Sequence, residues 1–318
     1  MTPATDSPAS DTYDAIIVGA GPAGLTAATY LGRFHRKVLV LDGGPSRASW
    51  IPESHNTPGF PHGVGGEALL GRLREQAGRY GAELRVGRAR SLVRGADGFV
   101  LGIAAQGGDA PAIVRARFLL LATGVVDRLP DLEGVEDAIR AARVRLCPIC
   151  DAYEASGQRI AVLGDSDHGA REAAFLTTYS ATVTLLDLRP DAPRGDEGGV
   201  SRRSIVLDDI VLTGDAVAVR GAGEAAESFD CLYLALGFDS QQDLARQVGA
   251  ERDDEGRLLV SGHQQTSVDG LYAAGDVVRG LNQIAVATAE AAIAATDIHN
   301  RLQRVRFGAA SPGAAIAV

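Results

Sequence analysis

Residues 13–42 read YDAIIVGAGPAGLTAATYLGRFHRKVLVLD. An apolar run, a glycine turn, an alanine-rich helical pattern and a second apolar run closing on Asp42 follow one another, which is the pattern of a β-turn-α-β unit. Each glycine has a separate physical task. Gly19 permits the tight turn, Gly21 lets the main chain approach a pyrophosphate, and Gly24 lets the helix pack close to the sheet. The helix opening at Pro22 and Ala23 then turns its first N–H groups toward the phosphates. Asp42, about 20 residues further on, can accept hydrogen bonds from a ribose. The stretch therefore predicts a dinucleotide site.

The same pattern returns at residues 158–187, QRIAVLGDSDHGAREAAFLTTYSATVTLLD, with Gly164, Ser166 and Gly169 in the turn and Asp187 at the end of the second apolar run. Two such units predict an α/β chain with two Rossmann-like dinucleotide-binding domains. Two apolar runs that break into glycine, FLLLATGVVD and CLYLALGFDS, mark the seams. The first contains Thr123 and Gly124. The expected organisation is a discontinuous first domain, residues 1–124 and 238–318, with a second domain, 125–237, inserted into it. Residues 1–12 and the tail from Gly308 show no sustained apolar period and read as loosely ordered ends.

A chain of 318 residues with 46% apolar and 22% charged residues has an ordinary globular composition, and its length suits about two domains. The net charge of −9, without a dense basic run, argues against nucleic acid as a partner. The opening residues lack the basic and apolar regions of a signal peptide, and no apolar run reaches the ~18 residues of a membrane span. These features predict a cytoplasmic protein.

Residues 145–154, RLCPICDAYE, hold two of the three cysteines. Zinc fails on ligand count, because no second pair of Cys or His stands at suitable spacing, and Cys231 lies in an apolar run as a small core residue. No metal site is expected. A CxxC in a reducing compartment reads instead as a redox couple that cycles between dithiol and disulfide. Pro148 suits the first position of a helix, whose N-terminus favours thiolate. Asp151 is positioned to carry the protons that accompany the electrons, or to serve as an ordinary N-terminal helix acid.

The glycine turn GAGPAGLTAA, the ATG at 122–124, the cysteine pair followed by Asp, and LYAAGDV at 271–277 occur in the order and spacing of the thioredoxin reductase-like flavoproteins, which the chain resembles over about residues 13–302. The resemblance implies FAD binding by Gly19, Gly21, Pro22, Ala23, Gly24, Asp42, Thr123, Gly124, Gly275 and Asp276. It implies that Asp276 contacts the ribityl chain of the flavin and that a helix beginning near Gln283 and Ile284 faces its pyrimidine edge. It further implies that Cys150 stands on the flavin side, that Cys147 exchanges with the substrate, and that the enzyme forms homodimers.

Several residues depart from that pattern. Ser166 replaces the middle glycine of the second motif, and Asp187, Leu188 and Arg189 stand where NADPH users carry a His-Arg-Arg cluster. Asp187 is expected to repel a 2′-phosphate, so any nicotinamide cofactor bound by Gly164, Ser166, Gly169 and Asp187 should be NADH before NADPH. The stretch GGPSRASWIPESHNTPGF, with His55 ahead of the Pro58-Gly59-Phe60 turn, resembles the FAD-dependent dithiol oxidases that close disulfides in small natural products. His55 reads as a base for incoming thiols or as a surface histidine. Three functions follow: a NAD(P)H-driven disulfide reductase acting on a thioredoxin-like protein or a small disulfide, a dioxygen-dependent dithiol oxidase releasing hydrogen peroxide, and a flavin sensor or a reductase with another donor.

Overall fold

The computed structural model describes residues 12–104, 111–192, 194–213, 216–221, 224–278 and 280–307. The two ends expected to be loose lie outside these residues, apart from Thr12. The chain begins with β1 (Thr12–Val18), α1 (Pro22–Arg33) and β2 (Val38–Asp42), then α2 (Gly66–Arg79), β3 (Glu83–Val86), β4 (Ala89–Gly95), β5 (Gly98–Ile103) and β6 (Ala112–Leu121). Its middle holds β7 (Val125–Asp127), α3 (Val135–Arg140), β8 (Val144–Arg145), the one-turn α4 (Pro148–Asp151), β9 (Ile160–Gly164), α5 (Asp167–Leu176), β10 (Val183–Asp187), β11 (Gly195–Glu197) and β12 (Val200–Ser204). It ends with β13 (Ile210–Leu212), β14 (Val217–Gly221), β15 (Glu224–Phe229), β16 (Cys231–Ala235), β17 (Phe238–Ser240), α6 (Asp243–Gln247), β18 (Leu271–Ala273) and α7 (Ile284–Phe307).

Two compact units result, and the fold is α/β with two Rossmann-like units. Within the described residues the first unit runs to Ala48, then over Ala68–Val125 and from Ser240 onward; the second comprises Ser49–Glu67 and Val126–Asp239. In the first, β3, β2, β1, β6 and β18 form a parallel sheet in that order. The antiparallel strands β4 and β5 extend it from the early half of β6. The runs at 15–18 and 38–41 are apolar at every position because both faces of these strands are covered. On one face α1 packs against α7. Gly24, Ala27 and Ala28 of the one and Ala287, Ala291 and Ala294 of the other are buried small residues that permit close approach of the two helices.

The second unit repeats the plan. Strands β12, β10, β9, β16 and β8 form a parallel sheet, β11 adds an antiparallel edge, and β13 to β15 form a separate antiparallel sheet. Ile160, Ala161, Val162, Leu163, Leu186 and Leu232 are fully buried, each large apolar side chain contributing about 1.5–3 kcal/mol.

The segment 49–67 groups with the second unit. It packs there because Trp50 lies against the apolar cluster of Ile139, Leu163 and Leu232 and has the Arg140 guanidinium over its ring at 5.2 Å. The remaining crossings fall at 125/126 and 239/240. Here β7 and β17 pair. No described helix is long and apolar enough to cross a membrane.

Candidate active site

In the first unit the glycine turn is a close-packed bend at the C-terminal end of β1. Gly19 has φ +114°, and a Cβ there would lie 2.2 Å from the Ala122 carbonyl oxygen. A Cβ at Gly24 would meet the Gly19 carbonyl oxygen at 1.9 Å. Gly21 is the N-cap of α1 and supplies no side chain to cap it, with Pro22 at the first helical position and Ala23 buried behind it. An external acceptor is therefore the natural partner for the N–H groups of this first turn. Asp42 ends β2; its carboxylate accepts the Gly44 N–H at 3.2 Å and pairs with Arg74 at 3.3 Å.

Three further pieces converge on the same end of this sheet. Thr123 donates its hydroxyl to the Gln241 carbonyl, and the Gln241 N–H donates to the Gly124 carbonyl at 3.0 Å. Gly275 (φ +81°) sits so tightly that a Cβ would be 3.1 Å from Ala23 and 3.6 Å from Ala287, and its N–H donates to buried Glu290 at 2.8 Å. That contact sets Asp276 beside the starts of both α1 and α7, with Arg47 3.5 Å from its carboxylate. Gln283 and Ile284 open α7, and the Gln283 carbonyl accepts the Ala287 N–H. Two helix N-termini, the acid that ends β2 and a second acid thus stand together, as a dinucleotide with a polar ring edge requires. The residues present fit FAD.

The redox pair belongs to the second unit. Cys147 and Cys150 form a disulfide with Cα atoms 5.3 Å apart, on the turn that follows edge strand β8 at the C-terminal end of the sheet. Cys147 caps α4 and Pro148 is its first residue. Asp151 is held from two sides: the Tyr233 hydroxyl donates to one carboxylate oxygen at 2.9 Å, and Arg145 lies 3.2 Å from the other. Burial raises the Asp151 carboxyl above its ordinary value, against the downward pull of the Arg145 charge and the Tyr233 hydrogen bond. Cys231 is a buried free thiol, pushed up to about 11 by burial, and stays uncharged.

His55 lies on a loop that comes to this pair. Ser54 and Val64 exchange main-chain hydrogen bonds at 2.8 and 3.0 Å and pinch the loop at its base. Residues His55 to Pro61 enclose an open concavity of about 410 Å³. The Asn56 side-chain amide donates to the carbonyl of Ile149, between the two cysteines, at 3.4 Å. His55 pairs with Glu53 at 3.2 Å, and only a glycine at position 63 leaves room, since a Cβ there would be 2.8 Å from the His55 ring. Asn56 and Tyr233 escaped sequence reasoning because their partners lie far along the chain, whereas Arg145, only six residues from Asp151, lay within the cysteine stretch and was passed over.

The second glycine motif keeps its close packing and changes its chemistry. Gly164 and Gly169 are in contact, a Cβ on either lying about 3 Å from the Cα of the other. Ser166 is the N-cap of α5, flanked by Asp165 and Asp167 where a pyrophosphate would bring its own negative charge. Asp187 is fully buried. Burial alone would raise its carboxyl, yet hydrogen bonds from the Arg189 side chain and main chain and from Arg202 hold it down to about 2. The Asp187 charge is internal and matched by two guanidiniums. Arg189 and Arg202 instead present the local surface.

The description "Pyridine nucleotide-disulphide oxidoreductase" matches residues 13–291. The thioredoxin reductase of Mycolicibacterium smegmatis is 33% identical over 302 residues, covering 89% of this chain and 94% of that protein. Among solved structures, the thioredoxin reductase from Giardia duodenalis matches with a TM-score of 0.79 at 27% identity, covering 92% of this chain and 99% of that one. HlmI matches with a TM-score of 0.81 at 26% identity, covering 93% and 96%. With a glycine turn built for FAD and a CxxC disulfide, the chain belongs to the pyridine nucleotide-disulphide oxidoreductase family and is an FAD-dependent disulfide oxidoreductase.

Proposed function

We propose that the chain is a NAD(P)H-driven disulfide reductase of the cytoplasm, a homodimer whose substrate is the disulfide of a thioredoxin-like protein or a small molecule. The observation that carries this reading is the Cys147–Cys150 disulfide, placed at the end of a Rossmann-like sheet in a chain similar over most of its length to thioredoxin reductases. FAD, when bound, supplies a two-electron carrier between donor and disulfide. The N–H groups of the Gly19–Gly24 turn would bind its diphosphate, Asp42 its ribose and Asp276 its ribityl chain, with Thr123, Gly124, Gln283 and Ile284 shaping the remaining walls. By the family resemblance, Cys150 would pass electrons to and from the flavin and Cys147 would exchange with the substrate. Asp151 holds and releases the proton that each exchange requires. Gly164, Ser166, Gly169 and the Arg189–Arg202 pair receive the nicotinamide cofactor. With Asp187 buried, that pair leaves NADPH as acceptable as NADH.

A second reading has its own observation, the loop of His55 tied to the Ile149 carbonyl beside the disulfide. There the enzyme is a dithiol oxidase: a small dithiol docks in the concavity, His55 takes a thiol proton, and the two electrons and two protons lost by the substrate reach dioxygen, which leaves as hydrogen peroxide. One experiment separates the two. Holoenzyme is mixed anaerobically with NADH, NADPH or dithiothreitol, and the visible flavin band is followed. The reductase reading expects bleaching by NADH or NADPH within the time of one turnover. Bleaching by dithiothreitol alone, with peroxide formed on admission of air, refutes it in favour of the oxidase. Cys150→Ser should keep its colour and lose exchange with dithiothreitol under either reading.

A further inference from the structure

Arg145 stands two residues before Cys147, and Asp151 follows Cys150. Arg145 Nη1 is 3.2 Å from the Asp151 carboxylate and donates to the Asp151 main-chain carbonyl at 3.1 Å. This double contact spans the redox loop and does not depend on the sulfur–sulfur bond. Its anchorage is the sheet: β8 and β16 pair in a register that sets Arg145 directly beside Tyr233, and Tyr233, fully buried, donates its hydroxyl to the same carboxylate. Two strands, not the single turn of α4, thus decide where the carboxyl points.

Resting on the reading of Asp151 as proton carrier, we infer that Arg145 and Tyr233 are positioning residues for the thiol–disulfide step. They hold the Asp151 carboxyl against the redox loop whether the disulfide is closed or open, and so fix the pH range over which it exchanges its proton. Opening the Cys147–Cys150 bond to two thiols takes two electrons and two protons. The flavin cofactor, when bound in reduced form, would supply both electrons and one proton, which leaves one proton for Asp151 to give to the leaving sulfur and regain from solvent. Closing the bond runs in reverse, with Asp151 accepting the proton.

The charged and titratable groups facing Asp151 are few. Arg145 comes from β8, Tyr233 and Cys231 from β16, and Glu154 from the turn after α4. Helix α5, packed on α4, brings Asp167, His168, Arg171 and Glu172, of which His168 and Glu172 are paired at 3.1 Å. The 49–67 loop brings His55 and Glu53, also paired. Burial raises the affinity of Asp151 for its proton; Arg145 and Tyr233 lower it. Removing either one should therefore make the carboxyl titrate at higher pH.

The test is the pH profile of anaerobic flavin reduction in the holoenzyme at saturating dithiothreitol, together with titration of the 13C-labelled aspartate carboxyls by NMR, which needs no turnover. Asp151→Asn assigns the resonance and should abolish the acid limb. Arg145→Met is expected to move limb and resonance upward by about one pH unit or more, Tyr233→Phe in the same direction by less, and Arg145→Lys back toward the wild-type position. If Arg145→Met fails to retain flavin, the isosteric Tyr233→Phe decides. Limb and resonance at the wild-type pH in the variants, with only slower rates, would overturn the positioning role while leaving Asp151 as carrier. An acid limb that survives in Asp151→Asn overturns the carrier and the positioning role together.

Discussion

Asp187→Asn tests whether the acid at the end of β10 is an internal strut or a cofactor reader. In the structure its carboxyl, ordinarily at 3.8, is held down to about 2 by Arg189 and Arg202. At about 1.4 kcal/mol per pH unit this corresponds to about 2 kcal/mol of stability at neutral pH. Because the folded value is the depressed one, the contribution is fully present above about pH 4 and is lost as the pH falls toward 2, with about half gone at pH 3. Trp50 is the single tryptophan and packs in the second unit, so its fluorescence in a urea titration reports that unit. For a slope of about 2–3 kcal/mol per molar urea, the asparagine variant should unfold about 0.7–1 M earlier at pH 7, and the gap should narrow below pH 4. The variant should also leave any ratio of NADH to NADPH reduction rates unchanged. Equal urea midpoints at pH 7, or a reversal of nucleotide preference, would refute the strut and restore the acid as a reader.

Two other substitutions probe the remaining machinery. Gly24→Ala places a methyl group 1.9 Å from the Gly19 carbonyl oxygen, so the turn must open; we expect a loss of roughly 1–3 kcal/mol in thermal unfolding and a fall in the ratio of flavin to protein absorbance on purification. His55→Ala removes the imidazole paired with Glu53, and under the oxidase reading flavin reduction by a small dithiol at pH 7 should slow by about 10²-fold, whereas reduction by NADPH should stay as in the wild type.

What could be read from the sequence was whatever lies within about 30 residues of itself. The turn at Gly19, its acid at Asp42, the second unit at Gly164 and the CxxC are local patterns, and the apolar runs between them lie in β1, β2, β9 and β10. The partners of those residues come from far away. Tyr233 reaches Asp151 across 82 positions, and Asn56 reaches Ile149 across 93. Arg202 meets Asp187 because β12 pairs beside β10, a partnership that no local pattern around Asp187 announces. The antiparallel strands β13 to β15 escaped notice because they are short and outside the dinucleotide pattern.

The assignment of 49–67 to the second unit also sets an order of events during synthesis. The chain passes between its two units four times, and the ribosome releases Trp50 long before strands β9 and β16, whose side chains it packs against, have been made. At about 5–20 residues per second, the interval between residue 67 and residue 239 is on the order of 10 to 30 seconds. Throughout that time an indole and its apolar neighbours wait without a core, the condition in which a nascent chain is captured by a chaperone or pairs with the wrong copy. An excised 126–239 fragment would inherit the complementary defect, a cluster around Ile139 and Leu163 left open where Trp50 belongs.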